Sequence, residues 1–365
     1  MLRRFLMIAW IVVFSSCAQG FSESSGQQNQ AMGLIMMTAL FPKIPRFAYS
    51  TNFSSNNIWM YAVDYSSGML GSLGTIPAGT GPSSIKVDSA GKFAYASNNG
   101  SGNVTVYSIN QSTGLLTSLG NTPTNTGSMA VCIHPNGKFL YVGNATANTI
   151  SVFSIDQTTG LLTPLTPSPA TNPTGISIDA TGTYLYASNT GGTAVLMFSI
   201  NPLTGLLTAN GSIPSAGNAQ KVATDPNGRF VYAPGDIAGA IQMFTINSST
   251  GLLTANSTVP AGTSPKDIAV HPSAQFAFAA NGNSNNVSVY VVNQNTGTLS
   301  GIGTAPAGPG TTGIGVDPSG RFLYAANGSG NSISVYTVNA TTGALTSVGL
   351  APSGSGTWSV SIAYF

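Results

Sequence analysis

Apolar and polar residues alternate with period two in short runs along most of the chain, and turn-forming residues separate the runs. The stretch 312–349 shows this most clearly. Gly313 to Val316 gives one run, closed by Asp317-Pro-Ser-Gly320, and Arg321 to Ala326 gives a second, followed by Asn327-Gly-Ser-Gly330. Ser332 to Val338 gives a third, closed by Asn339-Ala-Thr-Thr-Gly343, and Ala344 to Val348 a fourth. β-Branched and aromatic residues at this period, bounded by Gly, Pro, Asn and Asp, predict four strands joined by turns. Such a unit cannot bury both faces alone and needs neighbours of its own kind.

The second-run aromatic recurs at Tyr49, Tyr95, Tyr141, Tyr186, Tyr232, Phe278 and Tyr324, with spacings of 46, 46, 45, 46, 46 and 46. Seven such copies, each of four strands, predict an all-β, seven-bladed β-propeller. The copies contain no helix-period segment, which excludes a helical solenoid. The Gly-His and Trp-Asp marks of the best-known propeller repeat are missing. Copies 2 to 7 are expected at 83–125, 129–171, 174–216, 220–262, 266–308 and 312–354. The first copy starts abruptly at Arg46 with a second strand. Its missing first strand is expected at the other end of the chain, where Ser359 to Ile362 aligns with Gly313 to Val316. The C-terminal strand should therefore pair with the N-terminal blade and close the ring, leaving no open edge at the junction. Phe93, Phe139, Tyr184, Phe230, Phe276 and Phe322 are expected between adjacent sheets.

The motifs Tyr95-Ala-Ser-Asn98, Tyr141-Val-Gly-Asn144 and Tyr324-Ala-Ala-Asn327 resemble the YVTN repeat of lactonase-like seven-bladed propellers. That family includes 6-phosphogluconolactonases and muconate-lactonising relatives. The resemblance covers residues 46–365 and implies the propeller fold, with lactone chemistry served by Glu, Arg and His in the central channel. The repeat itself is scaffold, and a fold does not fix an activity. This propeller departs from the expected set: it contains no Glu, and its only arginines are Arg46, Arg229 and Arg321.

Charged residues make up 5% of the chain, against a usual ~25%. With a net charge of +2 and no basic cluster in the propeller, the Lys/Arg footprint of a nucleic-acid binder is missing. A surface of Asn, Thr and Ser suits neutral or carbohydrate-like ligands. Residues 1–17 read as an export signal, with Arg3 and Arg4 ahead of the apolar run Phe5 to Phe14, which is too short to span a bilayer. Ser15-Ser16-Cys17 resembles a bacterial lipobox, so Cys17 is the expected lipid-attachment site; plain secretion and a retained anchor are the alternatives. Residues 18–45 are expected to be a polar tether followed by the apolar segment 31–41. The second cysteine, Cys132, takes a small-residue position of a first strand and is expected to be a small buried side chain. Two cysteines give no disulfide framework.

The few ionisable groups can be sorted one by one. Asp88, Asp179, Asp225 and Asp317, with His134 and His271, occupy the first turn of blades 2 to 7. Lys92, Lys138, Arg229 and Arg321 follow four residues later, giving three complete Asp–cation pairs that are expected to be structural. Asp64 and Asp156 stand where other copies carry Asn, as turn caps. Lys86 stands alone among small residues of an inner strand, pointing to the channel. Lys43, Arg46, Lys221, Asp236, Lys266 and Asp267 remain; the last four converge on one rim between blades 5 and 6 and form the candidate ligand site, against the alternative of an ordinary surface ion-pair patch. No metal-ligand spacing, nucleophile elbow or phosphate-binding loop occurs, and no cofactor is expected.

Two functions compete on these grounds. One is an exported, lipid-anchored monomeric propeller that binds a small molecule, a glycan or a protein at the cell envelope. The other is a lactone hydrolase, which needs a base for water and donors for the oxyanion. Asp236 or Asp267 would have to be that base, with a raised pKa that a neighbouring Lys opposes.

Overall fold

The computed structural model describes residues 45–364, all of them strands, turns and loops. The N-terminal readings, including Cys17 and the segment 31–41, lie outside the described residues. Seven antiparallel sheets follow one another in chain order. In blade 7 the strands are Thr311–Val316, Phe322–Asn327, Ser332–Val338 and Leu345–Pro352, ordered from the inside outwards. Blade 1 is composite: Pro45–Asn52, Asn57–Val63 and Leu70–Pro77 receive Thr357–Tyr364 as the innermost strand. Tyr49 stands opposite Ser361, and Ala48 opposite Ile362. Each innermost strand contacts those of both neighbouring blades, so the seven enclose a central channel.

Two blades depart from the regular pattern. The outer strand of blade 3 is split into Leu162–Pro164 and Ser168–Pro169. The inner strand of blade 5 is reduced to Ala223–Thr224. The outermost strands share another feature. In five of them the register slips at a glycine with positive φ: Gly74, Gly120, Gly211, Gly303 and Gly349. All seven end at a proline: 77, 123, 169, 214, 260, 306 and 352.

The seams between blades explain the repeat. The aromatic that opens each second strand lies against the glycine of the next blade's third-to-fourth turn. A Cβ built on Gly114 would sit 2.2 Å from the Phe47 ring, and one on Gly297 2.2 Å from Phe230. The same glycines have φ near +70°, a backbone region that favours glycine. Two residues along, the repeat tyrosine donates its hydroxyl to that glycine's carbonyl: Tyr95 to Gly160 at 3.0 Å, Tyr141 to Gly205 at 2.8 Å and Tyr324 to Gly68 at 3.0 Å. The expected aromatic positions are buried, from Phe93 to Phe322. Truncating one of them to Ala costs about 3–5 kcal/mol.

The first-turn carboxylates behave as backbone caps. Asp88 Oδ1 accepts the amides of Lys92 at 2.7 Å and Phe93 at 2.8 Å; Asp317 Oδ1 accepts that of Phe322 at 2.6 Å. The expected pairing with the following cation is corrected. Of the three pairs only Asp225–Arg229 comes within range, at 4.0 Å. The arginines instead cross the seam. Arg229 donates to the Gln294 carbonyl at 2.6 Å and lies over Phe230; Arg321 lies over Tyr65 and Phe322. The carboxylates are occupied by amides, and the guanidinium plane gains more by stacking on rings. His134 and His271 take the same slot. Each accepts a backbone amide at Nδ1 and donates from Nε2 to the next blade's glycine carbonyl, Gly182 at 2.8 Å and Gly320 at 2.9 Å.

Candidate functional site

The second residue of the innermost strand in six blades, Ser83, Met129, Thr174, Lys266, Thr312 and Trp358, and the equivalent Gln220 ahead of the shortened strand of blade 5, form a ring around one mouth of the channel. All except the buried Ser83 line a cavity of about 260 Å³, together with Lys221 and Thr190. Two larger depressions, of about 610 and 650 Å³, run along outer seams and have no ionisable side chain in their walls.

All four candidate residues gather at this mouth. Lys266 Nζ stands 2.7 Å from Asp236 Oδ2, and Lys221 Nζ 2.7 Å from Asp267 Oδ2. The two ammoniums line the cavity, whereas the two carboxylates do not. Asp267 also accepts the amides of Ile268 at 2.9 Å and Ile314 at 3.1 Å, and so ties blades 5, 6 and 7 together. Asp236 further accepts the Gln220 amide at 2.9 Å and the Ser264 hydroxyl. Burial pushes the Asp236 carboxyl up, but these donors, with Lys266 foremost, outweigh it and hold the group below the ordinary carboxylate range.

The irregular inner edge of blade 5 creates this arrangement. Six blades end the second strand in Asn, whose amide typically bonds to the third strand, as Asn281 does to Asn286 at 2.7 Å and Ser288 at 2.9 Å. Blade 5 has Gly235 there. A Cβ at Gly235 would lie 1.7 Å from the Ala216 carbonyl oxygen, so only glycine admits the incoming chain. The segment ahead of Ala223 keeps a single bridge to its own sheet, Ala219 to Gly235. It leans on blade 4 instead: Thr190 donates to the Ala219 carbonyl at 3.1 Å, and Thr174 and Ser188 to that of Gln220 at 3.0 and 3.1 Å. Gln220 and Lys221 thus leave the ladder near Asp236, the residue after the exceptional glycine.

Trp358 and Met129 supply the apolar part of the lining, and the Trp358 ring centroid lies 5.6 Å from that of Phe53. Deeper in the channel Lys86 is exposed and Cys132, expected to be buried, is partly so. Burial pushes the Cys132 thiol up, and the Lys86 charge offsets part of that. Reasoning from charge singled out the four ionisable residues, though not their pairing, and missed Met129, Thr174, Gln220, Thr312 and Trp358. The signal for these was positional: all stand 45 or 46 residues apart, one step before the position of Lys221 and Asp267. Among the described residues, no group of three or more His, Cys, Asp or Glu side chains could hold a metal.

Comparison with known proteins agrees with this architecture. The family described as Lactonase, 7-bladed beta-propeller matches residues 43–132, 120–224, 213–315 and 304–358. Similar solved structures include a putative 6-phosphogluconolactonase from Bacteroides fragilis, at 21% identity and a TM-score of 0.79, covering 87% of this chain and 98% of that one. A second, from Bacteroides uniformis, has 22% identity and a TM-score of 0.79 over 88% of this chain and 100% of that one. The periplasmic gluconolactonase PpgL of Pseudomonas aeruginosa has 18% identity and a TM-score of 0.76 over 86% and 97%. At these identities the structural likeness establishes the fold alone. No curated protein matches the chain. A family match spanning residues 43–358, on seven antiparallel sheets closed by the C-terminal strand, places the chain in the Lactonase, 7-bladed beta-propeller family.

Proposed function

We propose that the protein binds a compact polyhydroxylated ligand of the sugar-lactone class in the mouth pocket. The observation that carries this reading is the pairing of an indole wall, Trp358, with hydroxyl, amide and ammonium groups across a cavity of about 260 Å³. Aromatic faces suit the C–H face of a sugar ring, while a few placed polar groups fix its orientation. Calorimetric titration with glucono-δ-lactone and with the stable analogue 1,5-anhydroglucitol tests it. Binding is expected, and is expected to be lost in Trp358→Ala and Lys266→Ala; no heat in the wild type overturns the reading.

Family membership favours a second reading, hydrolysis of such a lactone. Lys266 would then polarise the carbonyl and Asp236 would accept a proton from water. The local electrostatics weigh against it, because Asp236 is held below the ordinary carboxylate range and is a weak base. Lactone hydrolysis above the spontaneous rate, abolished by Lys266→Ala and Asp236→Asn in folded protein, would establish turnover.

The proposal includes location: export, with Cys17 carrying lipid, so that a monomer binds its ligand at the cell envelope. Palmitate labelling that disappears in Cys17→Ser is the expected result. Unlabelled protein in the culture medium would support plain secretion instead.

A further inference from the structure

We propose that the mouth pocket selects an uncharged polyhydroxy ligand and discriminates against its phosphorylated or carboxylated counterpart. This inference rests on the mouth pocket being the binding site. Charge supports it first. Lys221 and Lys266 each hold a carboxylate at 2.7 Å, and these carboxylates are only 12% and 19% exposed. The four groups sum to zero. An anion drawn to either ammonium would meet Asp236 or Asp267 directly behind it. Displacing that carboxylate would leave a half-buried charge without its partner, which is unfavourable.

Hydrogen-bond capacity points the same way. The Thr312 hydroxyl donates to the Thr357 carbonyl at 2.9 Å, while those of Thr174 and Thr190 bond each other and reach the carbonyls of Gln220 and Ala219 at 3.0 and 3.1 Å. Their single protons are engaged within the protein, and acceptor capacity is what they retain. Lys266, Lys221 and Gln220 keep N–H groups beyond those that reach the carboxylates. The pocket therefore presents donors and acceptors side by side. A hydroxyl group is both, whereas an ionised phosphate or carboxylate accepts from several donors and offers little to the threonines. The remaining channel cation, Lys86, does not line the cavity. It lies three residues further along its strand than Ser83, about 10 Å down the channel at strand rise.

Calorimetry with 1,5-anhydroglucitol and its 6-phosphate, at about 20 mM and about 500 mM salt, tests the inference. The neutral compound should bind equally at both salt concentrations, and the phosphate at least about tenfold more weakly. Asp236→Asn, which frees Lys266, should strengthen 6-phosphate binding about tenfold relative to the neutral compound and make it salt-dependent. Asp267→Asn makes the same test at Lys221 should the first variant not fold. Tighter binding of the 6-phosphate than of the neutral compound to wild-type protein overturns this inference and leaves the pocket standing. Binding of neither overturns both.

Discussion

The hydroxyl of Tyr49 donates to the carbonyl oxygen of Gly114 at 2.9 Å, from the second strand of blade 1 into the third-to-fourth turn of blade 2. The bond recurs at six of the seven seams, and blade 6, with Phe278 in the tyrosine position, lacks it. Tyr232→Phe removes one such bond and should cost about 0.5–1.5 kcal/mol, read from urea unfolding. Phe278→Tyr supplies the missing donor opposite Gly343 and should gain a comparable amount. A destabilised Phe278→Tyr would mean that the seam between blades 6 and 7 is set differently from the others.

Two glycines of blade 2 separate crowding from backbone strain. Gly114 has φ +74° and the Phe47 ring 2.2 Å from its would-be Cβ; Gly120 has φ +115° with nothing within 4 Å. Gly120→Ala should incur only conformational strain, about 1–2 kcal/mol. Gly114→Ala should add an overpacking cost of about 1–3 kcal/mol to a similar strain. Chemical denaturation of the two variants should rank them in that order.

Alkali should unfold the wheel steeply. Burial raises the phenol pKa of the seam tyrosines Tyr49, Tyr95, Tyr141, Tyr186, Tyr232 and Tyr324, and pushes Tyr61 up to about 12 from 10.0. As pH rises, the unfolded chain therefore loses these protons first. The stabilisation is complete below pH ~10 and is lost as pH climbs towards the folded-state values. Each such tyrosine removes about 1.4 kcal/mol per pH unit in that window. Tyrosinate absorbance should rise together with loss of the β-sheet circular-dichroism signal; gradual ionisation of intact protein would contradict this.

Restoring the repeat consensus in blade 5 should do harm. Gly235→Asn brings back the usual residue, yet its Cβ would lie 1.7 Å from the Ala216 carbonyl oxygen. The segment 216–221 would have to move, taking Gln220 and Lys221 from the mouth. A fall in melting temperature with loss of anhydroglucitol binding is expected. An unchanged binding constant would show that the pocket does not depend on this detour.

Much of this was legible beforehand because the repeat is so regular. Tyr49 through Tyr324 counted the blades, and the orphan second strand at Arg46 demanded a partner, which Ser359 to Ile362 supply. The site was legible only where charge marked it. Lys221, Asp236, Lys266 and Asp267 stood out in a chain with few ions, but Thr174 or Trp358 gained meaning only from their place in a ring. The turn pairs misled for a related reason. Spacing brought Asp317 and Arg321 together in sequence, while amides for the one and the rings of Tyr65 and Phe322 for the other decided the geometry.

The slipped glycines and closing prolines of the outermost strands also govern how one molecule meets another. A second wheel approaching the perimeter finds few consecutive free peptide groups before a kink or a missing N–H interrupts them. In a protein with so little charge to keep its copies apart, resistance to strand-by-strand stacking is therefore written into the backbone rather than into electrostatic repulsion.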